Sequence, residues 1–402
     1  MLYRLKNAGF EGYLVGGGVR DLLLGREPKD FDVVTDARPE QVKKLFRNCR
    51  LIGRRFRLAH VRFGHEVIEV ATFRARADAA AEGERVTVNG RILRDNIYGT
   101  LEEDVWRRDF SINSLYYSIR DFSVADFTGG MADLRAGTLR LVGDPQVRYR
   151  EDPVRIVRAI RFAGTLGFRI HPDTEAPISR LGSLLEEVPP ARLYEEVMKL
   201  FHGGFGLRTF ELLQHYDVFG RLFPQVQASL VQAEGGPSRM LVVKALENTD
   251  SRIAEGKPVT PGFLFAALLW GPMEQLAGQL REQGLMESVA SHVAASKVIA
   301  EQTARTALPR RVTSLIREIW ALQPRLLPIK RKRVLELMAH PRFRAAYDFL
   351  LLRNEAGEEV GDTARWWTEF QVADEAGRQR LLEQLERPRS RRRRGSGKRK
   401  RK

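Results

Sequence analysis

The sequence predicts an α+β chain, with a small mixed α/β head followed by an all-helical neck and body. Three observations carry this. Short β-branched and alternating runs, set between glycine turns, fill the first part of the chain. From about residue 150 apolar residues recur at helical spacing instead. The last stretch, Arg387–Lys402, holds eleven Lys or Arg, no acid and no apolar anchor. The expected organisation is a head over 1–140, a helical neck over 141–205, a helical body over 206–386 and a disordered basic tail over 387–402.

The elements follow in order. Tyr13–Val15, Asp30–Thr35, Arg57–Phe63 and Glu66–Phe73 read as strands, with a short amphipathic helix at Pro39–Asn48. Residues 76–99 are polar and dotted with glycine, and read as a mobile loop. Val154–Phe168 and Ala191–Phe201 carry helical periodicity. Residues 206–385 are helical in pattern, broken by Gly235-Gly236-Pro237 and by Pro258 to Gly262. No fixed-period repeat is visible.

Bulk properties narrow the function class. A chain of 402 residues with 43% hydrophobic and 29% charged residues suits a soluble protein of two or more domains. No apolar run approaches a membrane span, and MLYRLKNAGFEG lacks a signal-peptide core. Cys49 is the only cysteine, so no intrachain disulfide forms and a cytoplasmic setting fits. A zinc cluster rich in cysteine or histidine is excluded by count. The net charge is +16, of which the tail carries eleven, leaving about +5 for the rest. Such a tail, Arg391, Arg392, Arg393 and Arg394 included, seeks a polyanion, and counterion release favours nucleic acid. A solubilising tail is the alternative.

The densest signal is YLVGGGVRDLLLGREPKDFDVVT, Tyr13–Thr35. Gly16-Gly17-Gly18 lets backbone approach a triphosphate closely, and N–H groups at a helix beginning near Val19 can face the anion. Arg20 adds a charged donor at the same place. On a strand Asp30 and Asp32 would point to one side, where two carboxylates repel unless a cation joins them. Mg2+ is the usual choice where phosphates complete the coordination. Each half of this pattern is weak alone; in this order they point to metal-assisted transfer on a nucleotide.

GGGVRDLLLG followed by KDFDVVT resembles the head of the class II template-independent nucleotidyltransferases, which are DNA polymerase beta-like. The family holds tRNA CCA-adding enzymes and bacterial poly(A) polymerases. The resemblance implies that Asp30 and Asp32 ligate metal, that two Mg2+ ions serve the reaction, and that Gly17, Gly18 and Arg20 bind the nucleotide. It also implies a helix ahead of the glycine turn, and LYRLKNAGF reads as the end of one, so the chain begins late within it.

Further motifs join this set. Glu69 in VIEVATFR shares a strand face with Val67 and Ala71; it is either a third acid beside the metal site or an edge-strand surface residue. RRDFSINSL, from Arg107, resembles the family's RRDFTIN motif. Arg108 would meet the triphosphate or ribose. Asp109 is a candidate catalytic residue that would orient that arginine or approach the metals; the alternative is a helix cap. Asp126 to Gly130 resembles the flexible link between head and neck, its glycines suiting a hinge. EDPVRIVRAIRF places Asp152, Arg155 and Arg158 on one helix face. It resembles the EDxxR motif, in which an acid and an arginine read one edge of the base. A surface salt-bridge row is the alternative.

Two stretches point to a branch of the family. LIGRRFRLAHV, Leu51–Val61, resembles bacterial poly(A) polymerases, where CCA-adding enzymes show another version. HPRFRAAYDFL, from His340, and PARLYEE, from Pro190, follow the same pattern. The expected activity is template-independent addition of AMP from ATP to RNA 3′ ends, serving RNA processing and decay. RNA would be gripped through its backbone by basic surfaces such as Lys330, Arg331, Lys332 and Arg333. The alternatives are a tRNA CCA- or A-adding enzyme, and a catalytically silent RNA-binding protein. Association with RNA-decay or RNA-chaperone proteins leaves no mark in the sequence.

Overall fold

The computed structural model describes residues 1–53, 57–75, 85–88, 91–95, 97–232 and 236–385. Two compact units result, Met1–Phe223 and Pro224 onward. The helices Gly206–His215 and Phe219–Leu222, expected with the body, belong to the first unit.

The first unit is built on a seven-stranded mixed sheet. Its strands are β1 (Gly12–Val15), β2 (Asp32–Thr35), β3 (Cys49–Ile52), β4 (Leu58–Phe63), β5 (Glu66–Thr72), β8 (Leu115–Ser118) and β9 (Val124–Asp126). Their order is β3-β4-β5-β2-β1-β8-β9, antiparallel except for the parallel pair β2–β5. Between them, Arg85–Val88 (β6) and Arg91–Asp95 (β7) pair as a separate hairpin, so the segment expected as a loop carries strand structure.

Alternation along β2 sets the two faces. Val33 joins Leu5, Val42, Phe46, Val61 and Val70 in a core beneath α1 (Leu2–Asn7) and α3 (Pro39–Leu45). Val34 points the other way, to Val15, Phe73, Val105 and Tyr116 under α4 (Leu101–Arg107). Each buried side chain of this size contributes about 1.5–3 kcal/mol relative to exposure. Burial on both faces holds the register, since a slip of one residue would exchange them. Asp32 therefore lies on the Val34 face.

One expectation is corrected here. The strand begins at Asp32, not Asp30. β1 ends at Val15 opposite Asp32, and the chain then turns at Gly16, leaving no neighbour to pair residues 30 and 31. The helix α2 (Gly17–Leu23) likewise starts two residues earlier than expected.

After the sheet come α5 (Gly130–Ala136), α6 (Pro145–Glu151) and α7 (Val154–Leu166), then the short α8 (Pro172–Glu175) and α9 (Ile178–Leu181), and α10 (Pro190–Phe201). The segment before α5 is not built like a hinge. The Asp126 carboxylate accepts from the N–H groups of Thr128, Gly130 and Met131 at 3.1, 2.9 and 2.9 Å. A Cβ on Gly130 would lie 2.3 Å from the Ser111 carbonyl oxygen, so this glycine allows close packing.

The second unit is helical throughout its described residues. Pro224–Gln232, Pro237–Ala254 and Pro261–Leu268 each open on proline, whose missing N–H costs nothing in a first turn. Trp367 and Phe370 are fully buried at the centre of a cluster that includes Leu326, Val334 and Leu350. No described helix is long and apolar enough to cross a membrane.

Candidate active site

One cleft of about 650 Å³ in the first unit gathers seven of the eleven residues expected to serve catalysis or nucleotide binding. Asp32 and Glu69 stand in register on the parallel strands β2 and β5, so their side chains leave the same face. The Glu69 carboxylate also meets His60 Nε2 at 3.0 Å. Burial pushes the Asp32 carboxyl up, and the charges of Glu69 and Asp30 add to this while Arg108 opposes it. A carboxylate held against desolvation and two like charges fits a divalent cation. Among the described residues no three acidic or imidazole side chains surround one point. An ion here would take one or two carboxylates and complete its shell with phosphate and water, as Mg2+ does.

Asp30 is exposed and does not line the cleft. Its charge nevertheless reaches Asp32, and its carbonyl packs at Gly18, where a Cβ would sit 3.3 Å from the oxygen. Gly16 has φ +76°, a conformation that favours glycine. A Cβ there would lie 3.7 Å from both Asp32 Oδ2 and Arg108 Nη1. The tight turn thus abuts both the acidic and the basic side of the cleft.

Arg20 is not free at the helix start. It is buried, donating from Nη1 to Asn113 Oδ1 at 2.8 Å and from Nε to Asp21 at 2.9 Å. Its guanidinium lies 5.2 Å from the Phe162 ring, which Arg158 and Arg161 approach at 5.4 and 4.3 Å. Gly17 faces this guanidinium, with Arg20 Nη2 3.5 Å from its Cβ position.

Arg108 follows α4, and its position is fixed by a triangle. Nε donates to the Tyr116 hydroxyl at 2.6 Å and Nη2 to Asp104 at 3.1 Å, while the Tyr116 hydroxyl donates to the same Asp104 oxygen at 2.8 Å. Asp109 points to Arg158, accepting from its Nε and Nη2 at 2.8 and 2.5 Å. Its other oxygen accepts from Phe110 N and Asn113 Nδ2. Asp109 therefore orients an arginine, but a different one from Arg108.

The pair expected to read the base is also rearranged. Asp152 stands just past α6, at its C-terminal cap, and Arg155 lies on α7. Asp152 accepts a fork from Arg192 on α10, at 2.9 and 2.7 Å. Arg155 instead donates to Glu151 at 3.1 Å and to the Arg148 carbonyl at 2.7 Å. Arg148 donates to Glu151 at 2.7 Å and to the carbonyls of Arg107 and Arg108 at 2.8 and 2.6 Å. It thereby ties α6 to the segment bearing Arg108. Sequence reasoning gave no role to Arg192, Arg148, Glu151, Asp104 or Tyr116. Their contacts to residues 12 to 41 positions away leave no periodic signal; the i, i+3 pair Arg148–Glu151 and the i, i+4 pairs Asp104–Arg108 and Glu151–Arg155 were readable.

In the second unit Lys330 precedes the helix Arg331–Met338, with Lys332 and Arg333 exposed and Val334 and Leu337 buried. Arg391 to Arg394, with the rest of the tail, lie outside the described residues.

Comparison with known proteins identifies the family. Residues 12–140 match the poly A polymerase head domain. Residues 167–230 match the probable RNA and SrmB-binding site of polymerase A, and 283–401 its arginine-rich C-terminus. Poly(A) polymerase I of Escherichia coli O157:H7 is 50% identical over 400 residues, 98% of this chain and 86% of that protein. The Haemophilus influenzae poly(A) polymerase I is 45% identical over 389 residues, 96% of this chain and 86% of that protein. A CCA-adding enzyme of Lactobacillus helveticus is 36% identical, over 53% of this chain and 51% of its own. The solved Bacillus stearothermophilus CCA-adding enzyme in complex with CTP superimposes with a TM-score of 0.58 at 25% identity, covering 95% of this chain and 80% of that one. The CCA-adding relative aligns with about half of this chain, whereas the poly(A) polymerases align with nearly all of it. The chain belongs to the poly(A) polymerase branch of the CCA-adding enzyme/poly(A) polymerase nucleotidyltransferase family.

Proposed function

We propose that this chain is a template-independent polynucleotide adenylyltransferase that extends RNA 3′ ends with AMP from ATP. The RNA 3′-hydroxyl attacks the α-phosphorus, a new phosphodiester bond forms, and pyrophosphate leaves. The observation that carries this reading is the juxtaposition of an acidic edge, Asp32 and Glu69, with the arginine-lined wall of the same cleft. Two Mg2+ ions held at Asp32, with Asp30 and Glu69 nearby, would supply hydroxyl activation and stabilisation of the leaving oxygens.

The protein's own part is positional. Arg108 directs its guanidinium to the cleft, preset by Asp104 and Tyr116, and offers a fixed donor to the triphosphate. Asp152 and Arg155 present an acceptor and a donor to the adenine edge, Asp152 held by Arg192 and Arg155 by Glu151. Arg158, paired with Asp109, lines the same wall. No side chain need form a covalent intermediate, and the sole cysteine, Cys49, is buried in the opposite core. Exposed Lys332 and Arg333, and the tail, would hold the RNA backbone without reading its sequence. On this reading catalysis belongs to the head, base selection with part of the RNA surface to the neck, and RNA grip to the body and tail.

The test is incorporation from each of the four NTPs on an unstructured RNA and on a tRNA lacking its 3′ end. Repeated addition from ATP alone on the unstructured RNA is expected. Addition of CMP confined to the tRNA would replace this reading by the CCA-adding one, and no incorporation in Mg2+ would leave a silent RNA-binding protein.

A further inference from the structure

We propose that the indole of Trp106 is the platform on which the 3′-terminal base of the RNA stacks; this rests on the adenylyltransferase reading above. Trp106 is the only aromatic residue among those lining the cleft. It is 39% exposed on α4, although Asp104 and Val105 on the same turn are buried. Among the described residues its ring has no aromatic or cationic partner. Val147 on α6, 51% exposed, is a further apolar residue lining the same cleft. A tryptophan left open to water in a charged cleft forgoes burial energy that a stacked base would recover.

The segment bearing Trp106 is held rigidly. Arg148 donates to the carbonyls of Arg107 and Arg108, directly after Trp106. Arg107 Nη1 donates to the Ala75 carbonyl at 2.9 Å. Little further ordering is then needed when a base arrives.

Two nucleobases enter such a site, and the geometry favours the RNA's. The edge-reading groups Asp152 and Arg155 are largely withdrawn from water, which suits a base chosen at each addition. Trp106 is open to solvent, as a strand leaving the site requires. Stacking also ignores base identity, in keeping with a primer whose sequence is not read.

The chain suits a direct test, because Trp106 is the only tryptophan in residues 1–223; the other four are in the second unit. Emission of the wild type and of Trp106→Phe is compared during titration with oligo(A), and separately with ATP. Oligo(A) is expected to quench a component present in the wild type and missing from the phenylalanine variant. In elongation assays Trp106→Leu should raise the RNA KM by about fivefold to a hundredfold, the loss of one base–aromatic stack. Trp106→Phe should recover most of this, and the ATP KM should hold in both. An RNA KM for Trp106→Leu within twofold of the wild type overturns the proposal, as does quenching of that component by ATP but not by oligo(A). Wild-type elongation is measured alongside, so a failure of the adenylyltransferase reading shows separately from a failure of the stacking.

Discussion

Asp109→Ala should destabilise the first unit by about 3 kcal/mol while leaving the second unit intact. Asp109 accepts two hydrogen bonds from Arg158, and both side chains are mostly withdrawn from water, 14% and 29% exposed. Removing one partner of a buried pair costs about 3–5 kcal/mol, because the other charge stays uncompensated. Two features place this case at the lower end. Glu196 remains 3.8 Å from Arg158, and that guanidinium retains some water. A loss of this size lowers the midpoint of a unit of roughly 220 residues by about 6–12 °C. The pH dependence has a definite sign. Burial alone would raise the Asp109 carboxyl, but the Arg158 charge, with hydrogen bonds from Arg158, Asn113 and Phe110, holds it below the usual carboxylate range. A depressed folded-state value means the stabilisation is complete above the unfolded value of about 3.9 and is lost as pH falls toward the folded one. Urea denaturation of wild type and variant at pH 7, 5 and 3.5 measures this. The gap should be equal at the first two and smaller at the third. A gap below about 1 kcal/mol at pH 7, or one that widens on acidification, would refute the assignment of Asp109 as the buried partner of Arg158.

Asp32→Asn should lower AMP incorporation by at least about a hundredfold without loss of thermal stability, since it removes a carboxylate that burial and two like charges already disfavour; near-normal rates in Mg2+ would defeat the proposed mechanism. Arg192→Met should release Asp152 and reduce the preference for ATP over CTP by about 1–3 kcal/mol, read as a ratio of kcat/KM values, with RNA affinity unchanged. If RNA affinity falls instead, the pair belongs to the primer path. Ending the chain after Glu386 should weaken RNA binding at low salt and flatten the slope of log K against log salt. Equal slopes would assign the basic tail to solubility alone.

Local chemistry made the head legible and tertiary contact made the rest opaque. The glycine turn, the β2 aspartate and the strand of Glu69 were readable because alternation and glycine conformation act over a few residues. The exact start of β2 was not, because it depends on where its neighbour β1 ends. Strands β8 and β9 escaped notice for a related reason. LYYS and VAD are too short to show a period; β8 exists because β1 offers an edge to pair with, and β9 because β8 then does. The EDxxR spacing located residues that line the cleft but did not foretell their bonds. Asp152 falls in the break between α6 and α7, so the face expected from one continuous helix does not form there.

The arginines of the cleft show why those partners matter. Several guanidiniums crowded on one wall repel each other; burial pushes Arg148 in that wall down to about 10, and likewise Arg161, which lies outside the cleft lining on the helix that bears Arg158. Such a wall is tolerable only if each charge is anchored. Asp104 and Tyr116 hold Arg108, Asp109 holds Arg158, Glu151 serves Arg148 and Arg155 together, and Glu196 lies 3.5 Å from Arg161. The anchors come from α4, the turn after it, β8, α6 and α10, so the wall closes only when head and neck segments fold as one piece. A triphosphate entering this cleft meets donors whose directions are already fixed, and little of its binding energy goes to arranging them. The same anchoring leaves Asp32 and Glu69 with few local cations of their own, and that negative edge is where the proposed divalent ion would sit.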